Sequence, residues 1–387
     1  MSADADPLTP LVETLEVSPA SRSLPLVGIV LAVQANYYWV QLDGERTAQS
    51  GSQSDRQTDA HIDVLLCTRR ARLKKIGQQV IVGDRVQVEE VDWVSKRGAV
   101  AQVLPRRTEL DRPPVANVDQ ILLVFALADP IVEPLQLSRF LVKAESTGLT
   151  VKLCFNKSDL ISPEERQNWS DRLHHWGYAP VAVSVRGNQG LDAIQAQLAH
   201  RITVVSGPSG VGKSSLINRL IPTLDVRVGA ISGKLGRGRH TTRHVELFTL
   251  PDGGLLADTP GFNQPDLDCA PRVLASYFPE ARHRLEQASC QFNDCLHRDE
   301  PNCVVRGEWE RYAHYLTFLE EAIAYQTTLG RSGTVESTVK QKSRQEGQIE
   351  TEPKLATKKY RRPSRRTEKQ ALEDLYQDAK LLTEEEN

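Results

Sequence analysis

The segment Gly207-Pro208-Ser209-Gly210-Val211-Gly212-Lys213-Ser214 has the residue types and spacing of a loop that cradles phosphate. Its glycines let successive backbone N–H groups turn toward one anion, the Lys213 ammonium can meet the β and γ charges of a nucleotide, and the Ser214 hydroxyl can hold Mg2+. Ser215 is expected to be a further phosphate contact. A second tetrapeptide, Asn156-Lys157-Ser158-Asp159, supplies a base reader. The Asp159 carboxylate can accept from both N1–H and the 2-amino group of guanine, whereas adenine would leave that charged acceptor unpaired. Asn156 would bind the base edge and brace the site, while Lys157 would lay its aliphatic stem along the ring. Ser184, at the end of the next apolar run, stands where guanine sites commonly carry a Ser-Ala pair, with Val185 in place of the alanine.

Hydrolysis needs groups at the γ-phosphate. The run Leu255-Leu256-Ala257-Asp258 leads into Thr259-Pro260-Gly261, so Asp258 is expected to hold the Mg2+ shell and the Gly261 N–H to reach the γ-phosphate. Upstream of it, a Gly- and Arg-dense stretch from Val228 to Arg243 contains His240-Thr241-Thr242. One of these threonines, assigned as Thr242, is expected to be the second Mg2+ ligand, ordering the loop when GTP is bound. Phe262 follows Gly261, where a Ras-type enzyme carries its water-orienting glutamine, and phenylalanine cannot position water. Intrinsic turnover is therefore expected to be slow, with His240 or a partner's group making good the loss. Such rescue is worth on the order of 10³ to 10⁵ in rate.

Farther on, Cys290, Cys295, His297 and Cys303 place three thiols and one imidazole in one short segment. That is the ligand set of a closed tetrahedral structural Zn2+, and one such site is expected. Cys67, Cys154 and Cys269 lie apart and read as ordinary thiols, and His314 reads as a helix-surface residue.

The phosphate loop must sit between a strand and a helix, and the apolar run Arg201 to Ser206 and the pattern Ser214 to Leu220 provide them. Near-continuous apolar runs at Gln120 to Phe125 and Thr150 to Phe155, helical patterns at Leu135 to Ser146 and Pro163 to Trp176, and the run Pro180 to Ser184 predict an α/β domain with a mostly parallel sheet. The base reader thus precedes the phosphate loop, the reverse of the usual order, which means circular permutation. Modules flanking a permuted domain must close its break. Because Gly261 lies close in sequence to Cys290, the nucleotide state is expected to be read out chiefly as repositioning of the zinc module.

Upstream, short β-type runs at Gly28 to Val33, Tyr37 to Leu42, Val64 to Cys67, Gln79 to Val82, Arg85 to Val88 and Ala99 to Val103 predict a small barrel. An OB-type barrel is the first choice and an SH3-like one the alternative. A polar loop from Asp43 to Ala60 interrupts it. The basic group Arg69, Arg70, Arg72, Lys74 and Lys75 could hold RNA phosphates. After residue 330, twelve Lys or Arg stand against five Glu up to Gln370, the composition of a disordered segment. Apolar residues from Ala371 to Leu382 recur at helical spacing, either a docking helix or a solvated tail. The expected division is a leader at 1–24, barrel at 25–112, permuted domain at 113–265, zinc-binding domain at 266–330 and charged, disordered tail at 331–387.

A chain of 387 residues suits several cores, and 40% hydrophobic with 25% charged residues is the balance of a soluble protein. A formal charge of -2 gives no bulk attraction to nucleic acid, so any RNA contact must come from local patches. No apolar run approaches the ~18 residues of a membrane span, and the acidic, proline-containing start lacks signal-peptide design, which predicts a cytoplasmic protein without membrane partners. In that compartment disulfides among the six cysteines are disfavoured.

The barrel followed by Asn156–Asp159, Gly207–Ser215, His240–Thr242, Asp258–Gly261 and Cys290–Cys303, in that order, resembles the RsgA/YjeQ family of small-ribosomal-subunit biogenesis GTPases over roughly residues 26–328. The resemblance implies a multidomain α/β architecture: an N-terminal OB-type β-barrel, a circularly permuted P-loop GTPase domain and a C-terminal α-helical zinc-binding domain. It implies a monomer that uses GTP with Mg2+ and binds the small (30S) subunit and its 16S rRNA late in maturation. The subunit would stimulate hydrolysis, and the GDP form would leave. Rival readings are a GTP-gated RNA-binding regulator not specific to the ribosome and a scaffold that GTP merely stabilises. A P-loop kinase or ATPase conflicts with Asp159.

Overall fold

The structure is a computed structural model that describes residues 26–44, 63–111, 113–221, 245–258, 266–332, 339–343 and 349–353. The leader, most of the 43–60 loop, His240-Thr241-Thr242, Gly261, Phe262 and the end of the tail lie outside the described residues, as does the side chain of Asp258.

The first strands are β1 (Leu26–Gln34), β2 (Tyr37–Leu42) and β3 (Val64–Arg69), followed by the short helix α1 (Ala71–Lys75) and by β4 (Arg85–Asp92) and β5 (Arg97–Val103). They close in the order β1-β2-β3-β5-β4, with β4 returning antiparallel to β1 and β3 running parallel to β5. This is the OB-type arrangement, a five-stranded barrel with a helix after the third strand. Alternation drives it: Tyr38, Val40, Leu65, Cys67, Val86 and Val88 point into one buried core. The run Gln79 to Val82 does not form the predicted strand. Val82 makes a single bridge to Val115, because the buried Asp84 carboxylate accepts from Ile81 N over 2.8 Å and turns the chain at Gly83. Gly83 has φ +84°, and a Cβ there would lie 2.1 Å from the Ala116 carbonyl oxygen.

A small hairpin, β6 (Glu109–Asp111) with β7 (Pro114–Ala116), leads into the α/β region. Its elements are β8 (Gln120–Ala126), α2 (Pro134–Glu145), β9 (Thr150–Asn156), α3 (Pro163–His175), β10 (Pro180–Ala182), α4 (Leu191–Leu198), β11 (Ile202–Ser206), α5 (Lys213–Leu220), β12 (Leu247–Thr249) and β13 (Leu255–Asp258). The sheet order is β10-β9-β8-β11-β13-β12, parallel except for β12. Every residue of β8 and β11 is buried because helices cover both faces. Phe140, Leu141 and Trp176 pack on one face, and Ile194, Leu216 and Ile217 on the other. α3 begins at a capping box in which Ser162 and Glu165 satisfy each other's backbone N–H groups.

After a 3₁₀ segment, Pro271–Tyr277, come α6 (Pro279–Gln287) and α7 (Tyr312–Ser332). Barrel, sheet and the Cys/His segment all belong to one compact unit that runs to Ala322. Within it, Arg311 is fully buried, paired with Glu280 over 2.8 Å, and lies against the rings of Trp176 and Phe278 at 4.9 Å each. His314 is half-buried against α2 and does not stand free on the helix surface. It shares a 2.8 Å hydrogen bond with Ser138 Oγ of α2 and meets the Trp176 ring edge to face. Sequence periodicity could not show this, because the partner helix lies far upstream.

The second unit, from Ile323, contains the remainder of α7 and a hairpin of β14 (Val339–Ser343) with β15 (Ile349–Pro353). These ten residues are the described part of the 331–387 segment beyond α7. Their register sets Lys340 opposite Glu352 and Lys342 opposite Glu350.

Candidate functional site

Parallel strands finish at the same sheet edge, so the loops that follow β8, β9 and β11 gather there, at the point where the strand order reverses. β11 delivers Gly207 to Ser215, and β9 delivers Asn156 to Asp159. The register pairs Val205 with Asp258, which puts the end of β13 beside the phosphate loop. Permutation changes the order in which these strands occur in the chain, not their neighbours.

The phosphate loop is built around its glycines. Gly207, Gly210 and Gly212 have φ of +143°, +82° and +91°. A Cβ on Gly207 would lie 2.0 Å from the Val124 carbonyl oxygen, and one on Gly212 would lie 2.3 Å from Asn156 Nδ2. Only glycine fits both the backbone and the space. α5 starts at Lys213, so the positive end of its dipole faces the loop. Lys213 Nζ donates to the carbonyl oxygens of Gly207 (2.8 Å) and Pro208 (2.6 Å), which holds the ammonium across the mouth of the loop. The cradle fits a polyphosphate, and Ser214 and Ser215, half-buried on the first turn of α5, are placed for the cation and oxygens such a ligand brings.

The base reader is joined to it. Asn156 is buried, and its carboxamide donates to Val211 O over 2.9 Å. Ser184, also buried, donates to Asp159 Oδ1 over 2.5 Å and accepts from Gly187 N over 2.8 Å. The hydroxyl of Ser184 holds the Asp159 carboxyl below the ordinary aspartate range; desolvation, the next-largest effect, opposes it, and the residue's own backbone N–H, Arg186 and Lys157 add weaker lowering contributions. Asp159 is therefore an oriented carboxylate at neutral pH, the form that accepts two N–H donors. The isolated bridge between Ser184 and Gln189 closes the loop that carries this serine.

Two contributions were not legible in the motifs. Val185 N approaches Asn156 Oδ1 at 3.4 Å, so the backbone N–H of that residue faces the base reader whatever its side chain. Lys157, in the left-handed region with φ +57°, donates to the backbone carbonyl of Asp129, whose carboxylate lies 3.4 Å away. The Asp129-Pro130 dipeptide marks a turn in the sequence but says nothing of its partner.

Cys290, Cys295, His297 and Cys303 come together as a candidate metal centre. One ligand atom from each lies within 4.8 Å of the others, with His297 Nδ1 3.3 Å from Cys303 Sγ and 3.5 Å from Cys290 Sγ. The two Nδ1–Sγ separations match the edges of a tetrahedron with bonds of about 2.0 to 2.3 Å, and three thiols with one imidazole are a donor set that fits Zn2+. Burial pushes the Cys295 thiol up to about 12, a cost that a dication would reverse. The loop is braced beyond the ligands: Arg306 N points at Cys303 Sγ (3.4 Å), Tyr312 and Tyr315 donate to the carbonyls of His297 (2.9 Å) and Leu296 (2.7 Å), and Glu300 accepts from the backbone of Leu296 and Arg298. Burial alone would raise the Glu300 carboxyl, yet these N–H donors bring it down to about 2. Cys67 and Cys154 are buried, and Cys269 half-buried, away from this cluster.

The basic group beside the barrel is partly neutralised. Arg70 pairs with Glu89 (2.9 Å) and Glu90 (2.6 Å), and Arg69 donates to the Gln78 carbonyl (2.7 Å), which leaves Arg72, Lys74 and Lys75 as its exposed members.

Residues 103–268 match the family model described as RsgA GTPase. The chain is 64% identical over 362 residues to the small ribosomal subunit biogenesis GTPase RsgA of Trichormus variabilis, an alignment covering 91% of this chain and 97% of the relative. It is 43% identical over 381 residues to the mitochondrial small ribosomal subunit biogenesis GTPase RsgA 1 of Arabidopsis thaliana, covering 92% and 88%. Among solved structures, YjeQ from Thermotoga maritima superposes with a TM-score of 0.62 at 29% identity, over 78% of this chain and 99% of that one. YloQ, described as a circularly permuted GTPase, does so with a TM-score of 0.62 at 30% identity, over 79% and 98%. Among the described residues, no helix is long and apolar enough to cross a membrane.

Proposed function

This chain belongs to the RsgA GTPase family, and on that premise we propose that it hydrolyses GTP to GDP and phosphate as an assembly factor of the small (30S) ribosomal subunit, contacting 16S rRNA late in maturation. The subunit stimulates turnover, and hydrolysis is coupled to release. The protein acts as a monomer in the cytoplasm. The observation that carries the reading is the joining of a guanine-type acceptor to a phosphate loop on one sheet edge, through Asn156 and Val211.

In this reading Asp159, oriented by Ser184, accepts from the guanine edge, Asn156 and Val185 N frame the base, and Lys157 covers it. The backbone of Gly207, Pro208, Ser209, Gly210, Val211 and Gly212 wraps the phosphates, with Lys213 and Ser215 as further contacts. Ser214, Thr242 and Asp258 would hold Mg2+, which neutralises charge on the β and γ oxygens when GTP is bound. Gly261 N–H meets the γ-phosphate, and Thr241 with Thr242 senses it. Phe262 leaves the attacking water without a glutamine, so His240 or a group of the subunit positions it. Cys290, Cys295, His297 and Cys303 hold one structural Zn2+. The chain divides functionally at about residues 112, 265 and 330.

The test is the GTPase rate of the purified chain alone, with isolated small subunits, with large subunits and with free 16S rRNA, followed by competition of GTP against ATP. Stimulation by small subunits only, with preference for GTP, is the expected result. Equal stimulation by free RNA would favour a regulator not specific to the ribosome.

A further inference from the structure

The turn that carries Ser184 is pinned at its base and at its tip. Backbone bonds of 3.0 Å run both ways between Ser184 and Gln189, and Gly187 N donates to Ser184 Oγ over 2.8 Å, so Val185, Arg186, Gly187 and Asn188 form the tip. Gly187 must stay small, because a Cβ there would lie 2.9 Å from Ser184 Oγ. Asn188 stands in the left-handed region at φ +55°, which asparagine tolerates better than most residues. Its side-chain oxygen accepts from both Nε (2.9 Å) and Nη2 (2.5 Å) of Arg219. Arg219 lies in the last turn of α5, the helix that starts at Lys213 on the phosphate loop. Leu216, Ile217 and Leu220 of the same helix share a core with Val183 and Leu191, which flank the turn. The base reader and the phosphate loop are thus joined twice: directly through Asn156 and Val211, and by a longer route through Asp159, Ser184, Asn188, Arg219 and α5.

We propose that Arg219 and Asn188 are positioning residues for guanine selectivity: the guanidinium fixes the tip of the Ser184 turn to α5, and the turn aims the Asp159 carboxylate. This deepens, and rests on, the assignment of Asp159 as the guanine acceptor. Both side chains are exposed, so their contact adds little burial and acts through orientation. Its charged donor makes it stronger than a bond between two amides. Guanine presents two parallel N–H donors, and a carboxylate accepts both only when plane and distance match. Hypoxanthine lacks the 2-amino group and offers one donor, and a single hydrogen bond survives a rotation that breaks a paired one. Ser184 holds one oxygen of Asp159, so a shift of its turn swings the carboxylate and costs the second guanine bond first. Neither Asn188 nor Arg219 belongs to the guanine or phosphate motif, and 31 residues of chain separate them.

The experiment displaces a fluorescent GDP analogue from the full chain with GDP and with IDP, and reads the ratio of the two affinities. The wild-type chain should prefer GDP by about tenfold or more. Arg219→Ala and Asn188→Gly, the second of which keeps the left-handed backbone and removes only the acceptor, should each lower GDP affinity about 3- to 10-fold while IDP affinity changes less than about twofold. Retained IDP binding shows that the variants are folded. Asn188→Asp keeps an acceptor for Arg219 and should keep the wild-type preference. The variant Arg219→Ala/Asn188→Gly should be no worse than either single change, since both break one contact. An equal fall for GDP and IDP would mean that the pair merely stabilises α5, and an unchanged ratio would mean that it positions nothing; either overturns the proposal while a wild-type preference for GDP leaves the Asp159 assignment standing. A wild-type chain that binds IDP as tightly as GDP overturns that assignment, and the positioning role with it.

Discussion

The carboxamide of Asn156 donates to the Val211 carbonyl over 2.9 Å, across 55 residues of chain, and so joins the base reader to the phosphate loop. Neither motif can move without the other. Gly212 makes the junction tight, since its missing Cβ would sit 2.3 Å from Asn156 Nδ2.

Gly212→Ala should therefore weaken binding of GTP and GDP together. Left-handed strain of about 1 to 3 kcal/mol plus the displaced Asn156 corresponds to roughly a 10- to 100-fold loss. Titration with a fluorescent GDP analogue measures it, and equal loss of both nucleotides is the expected signature.

Asp159→Asn should exchange one specificity for another. The amide cannot accept from both guanine donors, and its N–H₂ can donate to the 2-carbonyl of xanthine. GTP affinity should fall by about two orders of magnitude or more, with a gain for xanthosine triphosphate in the same competition assay.

Ser184→Ala should show in the pH dependence. In the native protein the Ser184 hydroxyl is the leading cause that keeps the Asp159 carboxyl below its ordinary value. The carboxylate then persists as pH falls past the usual aspartate value of about 3.9, and binding is lost only as pH drops through the depressed value. Removing the hydroxyl raises that value, so the acid limb of GDP-analogue binding should move to higher pH. Superimposable limbs would mean that Ser184 does not orient Asp159.

Zinc analysis of protein purified without chelators should give one equivalent per chain. Cys303→Ser or a strong chelator should release it, lower helical circular dichroism and expose Trp309, which packs beside Tyr312 and Tyr315 behind the cluster. GDP-analogue binding at the distant sheet edge should survive.

Arg311→Met should destabilise the unit strongly, by about 3 to 5 kcal/mol, because it leaves Glu280 without its buried partner. Adding Glu280→Gln should recover part of the loss in denaturant titrations. Additive losses would argue that the Trp176, Tyr178 and Phe278 rings around the guanidinium matter more than the ion pair.

Much of this molecule is written locally in its chain. Gly207 to Ser215, Asn156 to Asp159 and Cys290 to Cys303 are short segments whose chemistry depends on residue type and spacing, so the expectations of guanine, phosphate and metal binding arise from them directly, and their order announces the permutation. Apolar runs long enough to be buried on both faces announced the parallel sheet, and alternation announced the barrel. What the tertiary structure alone decided depends on partners remote in sequence: that Gln79 to Val82 turns instead of pairing, since Asp84 takes Ile81 N; that His314 docks on Ser138; that Ser184 aims Asp159 and Asp129 receives Lys157; that Glu89 and Glu90 quench Arg70 while Tyr37 and Trp39 face water. A side chain's identity fixes which bonds it can make, but only the fold fixes which partner comes within about 3 Å of it.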